Sequence, residues 1–172
     1  MTIYFQMSLK DSVKHFVHLL SDSPLEIFQI YSAVLSLDCP VADELWTQLL
    51  LTHGKRLLQI SVHRTLISWE VIHIICVQCT KLEQLCLVVD RDFMVRILAF
   101  SPTAYSKSCA QDKLGSCLSF AKALKTIHFN YNIRTSGPSL FPRSQALSIL
   151  NKCSPTVTQF GCNSRVWQVS SD

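Results

Sequence analysis

The stretch Leu82-Glu83-Gln84-Leu85-Cys86-Leu87, residues 82–87, decides how the chain reads. Leu85 and Leu87 lie two apart, the period of a strand with one buried face, and Leu82 turns the chain into that strand. The same spacing stands upstream as Leu57-x-x-Ile60-x-Val62 and Leu25-x-x-Phe28-x-Ile30. It stands downstream as Leu124-x-x-Ile127-x-Phe129 and Val157-x-x-Phe160-x-Cys162. Ile3-x-Phe5 matches the last two apolar positions alone, so the chain is expected to begin inside a unit and to leave an uncapped strand edge there.

A helix-like segment precedes each copy. Val13, Phe16, Val17 and Leu20 recur at helical spacing before the first, and Leu45, Leu49 and Leu50 before the second. Val71, Ile72, Ile75 and Cys76 do so before the third, Leu118, Ala121 and Leu124 before the fourth, and Ala146, Leu147 and Leu150 before the fifth. Alternating helices and strands specify parallel strands joined by crossovers. The reading is an α/β fold, an irregular solenoid with a curved parallel sheet and outer helices, as one domain over residues 1–172. Strands are expected near 2–6, 25–31, 57–63, 82–89, 124–130 and 157–163. Stretches 101–116 and 132–143 read as inserted loops, the first rich in Ser, Lys and Ala, the second holding Gly137, Pro138 and Pro142.

The units resemble leucine-rich repeats, which run to ~20–29 residues. Cys79-Thr80-Lys81-Leu82-Glu83-Gln84-Leu85 is similar to the helix-to-strand junction of the Cys-containing subtype found in F-box proteins, and Lys152-Cys153-Ser154-Pro155-Thr156-Val157 repeats it. Cys153 to Asn163, continuing to Val169, resembles the C-terminus of F-box/leucine-rich-repeat-like proteins of basidiomycete fungi. The resemblance implies a noncatalytic protein-interaction module like the substrate-recruiting repeats of ubiquitin ligase adaptors. It implies a protein or peptide partner, a ubiquitylation substrate among them. No F-box, with its Leu-Pro-x-Glu-like start, precedes the repeats. The Asn or Cys that follows each strand in that family is met only by Asn132, the other positions being Ala33, Thr65, Asp90 and Arg165.

The outward positions of the strands define the concave face that would bind. They include Gln29, Tyr31, Gln59, Ser61, His63, Gln84, Thr126, His128, Asn130, Gln159 and Asn163, none of them charged in the manner of Lys, Arg, Asp or Glu. Uncharged donors and acceptors suit a protein surface. They do not suit phosphate tracking, so no nucleic-acid partner is expected.

Composition agrees with a packed chain. Of 172 residues, 48% are apolar and only 16% charged, which excludes a disordered tail. Neither a signal peptide nor a membrane-length apolar run is present. The eight cysteines lie mostly within apolar runs, so reduced thiols in the cytoplasm or nucleus are expected. Charge is uneven: residues 1–50 carry two basic and six acidic side chains, residues 101–172 eight and two. No nucleophile elbow, P-loop, zincin or dinucleotide motif occurs, so no catalytic residue and no cofactor is expected. His73-x-x-Cys76-x-x-Cys79 is the nearest approach to a metal or thiol site, but it is one pair only and lies toward a helix C-terminus, where the dipole disfavours a thiolate. The alternatives are therefore a remnant without independent function and a Cys/His metal or thiol enzyme.

Overall fold

A computed structural model describes residues 2–5, 21, 23–32, 43–89, 114–130 and 143–168. Seven strands form one sheet in chain order: β1 (Thr2–Phe5), β2 (Ile27–Ser32), β3 (Gln59–Leu66), β4 (Gln84–Val88), β5 (Thr126–Asn130), β6 (Gln159–Cys162) and β7 (Arg165–Gln168). Strands β1 to β6 pair in parallel, and β7 returns antiparallel to β6. Helices α1 (Asp43–His53), α2 (Trp69–Gln78), α3 (114–118) and α4 (Arg143–Leu150) accompany the sheet.

The register brings Phe28, Ile60, Leu85, Ile127 and Phe160 into one row across five strands, all essentially without solvent exposure. Leu45, Trp46, Leu49 and Leu50 of α1 and Val71, Ile72, Ile75 and Cys76 of α2 belong to the same core. These helical residues recur at three- and four-residue steps, so each helix turns one stripe inward. Ser68 caps α2, its hydroxyl accepting from the Val71 amide at 3.3 Å.

The strands start alike. The Glu26 carbonyl accepts from the amides of both Leu58 and Gln59, Leu58 from Glu83 and Gln84, Glu83 from Lys125 and Thr126, and Lys125 from Thr158 and Gln159. The lead residues Leu25, Leu57, Leu82, Leu124 and Val157 are all buried at these starts.

The expectation of a leucine-rich-repeat solenoid is nevertheless corrected. The sheet is mixed, closed by the β6–β7 hairpin whose two-residue turn holds Asn163 at a φ of 50°. Strands run from four to eight residues, and the β3–β4 register shifts between Ser61 and Leu66. Helix lengths differ as well, from five residues in α3 to eleven in α1. What recurs is the way a strand begins; a common unit does not recur, and the molecule is an α/β domain with a mixed sheet and helices. The physical reason is that the apolar spacing specifies one buried strand face and a lead residue. Those are requirements of any parallel strand entered from a helix, and they fix neither unit length nor curvature.

The expected alignment of the first strand is also corrected. Ile3 pairs with Ile30 and Tyr4 with Tyr31, two residues away from the repeat alignment. A slip of two keeps every side chain on its face, so the apolar pattern cannot choose between these registers. Leu114 to Ser116, assigned to an inserted loop, are helical in α3, and Arg143 begins α4. The helix-like segment of Val13 to Leu20, most of both inserted stretches, Cys39 and Cys109 lie outside the described residues.

Candidate functional site: the uncharged face of the sheet

The face turned away from the core row carries Gln59, Gln84, Thr126 and Gln159 at the strand starts, in register with one another. One step along come Gln29, Ser61, Cys86, His128 and Gly161, again in register. Beyond these, Tyr31 pairs with His63, and Asn130 with Val88. Most of these side chains are half-buried because they cover one another; Ser61 is buried and Gln84 exposed. Asn163 does not extend the third row along β6. It sits in the β6–β7 turn, its amide donating to the Phe129 carbonyl at 2.9 Å.

Their polar groups form short chains. Gln59 donates through Nε2 to Ser61 Oγ at 3.2 Å, and Thr126 Oγ1 donates to Gln159 Oε1 at 3.1 Å. The Asn130 amide donates to Cys86 Sγ at 3.6 Å, which leaves its oxygen facing His128 Nε2 at 3.2 Å. That oxygen can only accept, so the His128 proton is assigned to Nε2. The rings of Tyr31 and His63 stack with centroids 4.3 Å apart and planes within 7°. Burial, and next the charge His128 would carry, push the His63 pKa below its ordinary 6.5. Gly161 is required by His128: a β-carbon there would collide with the imidazole.

The His73-x-x-Cys76-x-x-Cys79 stripe does not come together as a metal centre. Among the described residues, no group of three or more His, Cys, Asp or Glu could hold a metal ion. Cys76 and Cys79 are fully buried, while His73 is exposed. Cys79 caps the C-terminal end of α2, and burial pushes its thiol up to about 12. The nearby thiol of Cys117 on α3, and next burial, push the Cys76 thiol above its ordinary range.

No family model matches the chain, and no curated protein matches it. Nothing therefore ties it to F-box proteins, to ubiquitin ligase adaptors or to basidiomycete fungi, and the substrate-recruiting role implied by that resemblance is withdrawn together with the repeat fold. Among the described residues, no helix is long and apolar enough to cross a membrane.

Proposed function

We propose that the chain acts by binding, without a catalytic step, and that the uncharged face of the sheet takes a protein or peptide segment. The observation that supports this reading is the in-register field from Gln59 to Gln159, whose side chains are preset by bonds to one another. Preset donors and acceptors lose little entropy when a partner arrives. The tyrosine, histidines and amides offer contact area and hydrogen bonds of the kind protein interfaces use. A nucleic-acid partner is not proposed, because the described rows of the face hold no Lys or Arg to neutralise phosphate. We place the protein in the cytoplasm or nucleus. Six described cysteines are free thiols, five of them buried, a state a reducing compartment preserves.

Selection from a displayed peptide library tests the reading. The bait is the full chain, and the counter-bait carries Tyr31→Asp, His63→Asp and His128→Asp. Enrichment of peptides that bind the first and not the second is the expected result. Equal recovery on both baits, with the counter-bait shown to be folded by its cooperative melting, would count against the face.

A further inference from the structure

The sheet sets four helix-to-strand turns side by side. Strands β3, β4, β5 and β6 are parallel neighbours, so the turns that lead into them lie along one end of the domain. Each turn carries a basic side chain: Lys55 and Arg56 before β3, Lys81 before β4, Lys122 and Lys125 before β5, and Lys152 before β6. All six are exposed. Their backbone is tied down. The Arg56 amide donates to the His53 carbonyl at 2.8 Å, Lys125 to Glu83 at 2.9 Å and Lys152 to Ile149 at 3.0 Å. The stem of Lys152 also crosses Gly115 of α3, where a β-carbon would collide with it. Among the described residues of this edge, two acids stand against the six: Glu26, and Glu83, which pairs with Lys125 at 2.9 Å. Helix dipoles do not account for the pattern, because their pull fades within the last turn. The last turns of α2 and α4 hold no basic residue, and Lys81 and Lys152 lie beyond them.

We infer that this edge binds an acidic protein segment. The inference rests on the reading that the sheet face takes a protein or peptide, and it names the charge that partner carries over the strand starts. The edge runs straight into the face: Glu83 precedes Gln84, Lys125 precedes Thr126 and Thr158 precedes Gln159. Neighbouring strands lie about 4.8 Å apart, so four strand starts span roughly 15 Å. An extended chain rises about 3.4 Å per residue, so a segment of about five residues covers them. Its carboxylates meet Lys81 and Lys122, the cations of the two central turns. Opposite charge there speeds encounter and fixes the register of the partner on the face. A nucleic acid would find cations along this one line alone, because the adjoining described rows, from Gln59 to Gln159, hold no Lys or Arg.

Fluorescence anisotropy of labelled octaglutamate with the full chain tests this. Two double variants carry the same change of net charge: Lys81→Glu with Lys122→Glu on the edge, and Arg143→Glu with Arg165→Glu away from it. Arg143 opens α4 and Arg165 faces Cys162 at the far end of β6, and both are exposed. Binding is expected to weaken with added salt, to fall about tenfold in the edge pair and to stay within about twofold of wild type in the other pair. No binding at low salt, or equal losses in the two pairs, overturns the inference. So does tighter binding of labelled octathymidylate with the same dependence on Lys81 and Lys122, which would make the partner a nucleic acid. Peptides selected on the full chain separate this inference from the reading beneath it. They are expected to be rich in Asp and Glu and to lose affinity for the edge pair. Peptides that need the sheet face yet bind the edge pair as well as wild type would overturn the acidic partner and leave the face reading standing.

Discussion

The imidazole of His128 occupies the space above Gly161, its register partner on β6, where a β-carbon would collide with it. The ring is held from its other side by Asn130, which in turn holds Cys86. One chain of contacts thus runs from Cys86 of β4 through Asn130 and His128 of β5 to Gly161 of β6.

Gly161→Ala must displace that ring, because the clash is with the imidazole itself. We expect a loss of about 1–3 kcal/mol in urea unfolding, the usual range for overpacking. His128→Ala in the same chain should recover most of it, which makes a double-mutant cycle the deciding measurement.

His63 makes stability pH-dependent in a defined direction. Its folded pKa lies below the ordinary 6.5, so just below that pH the unfolded chain binds more protons than the folded one. Stability contributed by neutral His63 is complete above pH 6.5, declines as pH falls below that value, and levels off once the folded value is passed. His63→Gln should flatten this part of the curve of melting temperature against pH.

His53 is buried at the end of α1, and neither of its ring nitrogens has a partner among the described residues. An unpaired buried polar group costs roughly 1–3 kcal/mol. His53→Leu is therefore expected to raise the urea midpoint, by about 1 kcal/mol after repacking. A fall instead would show that the ring is satisfied.

Phe160 sits between Phe129 and Trp167, each 6.0 Å away by ring centroids, with no exposure. Phe160→Ala should cost about 3–5 kcal/mol. It should also change the fluorescence of Trp167, the ring left facing the cavity.

The strand faces were readable because the buried pattern is local: Leu82, Leu85 and Leu87 state a lead residue and an inward face without reference to anything distant. The same pattern was also read as an irregular repeat with a wholly parallel sheet, and there it misled, since β7 turns back and the β3 register shifts after Ser61. Those features depend on a two-residue turn and on cross-strand packing, neither of which apolar spacing encodes. The polar rows were legible residue by residue from Gln59 to Gln159. The bonds within them were not, because Asn130 reaching Cys86 joins residues 44 apart in sequence.

Histidine ring signals in the NMR spectrum give the most direct test of binding at the sheet face. His63 and His128 lie on that face and His73 on the exposed side of α2, so one titration reports both sides of the molecule. On addition of a peptide selected against the full chain, the ring signals of His63 and His128 should shift in proportion to occupancy while that of His73 stays in place. A saturating shift at His73 with His63 and His128 unmoved would contradict the account.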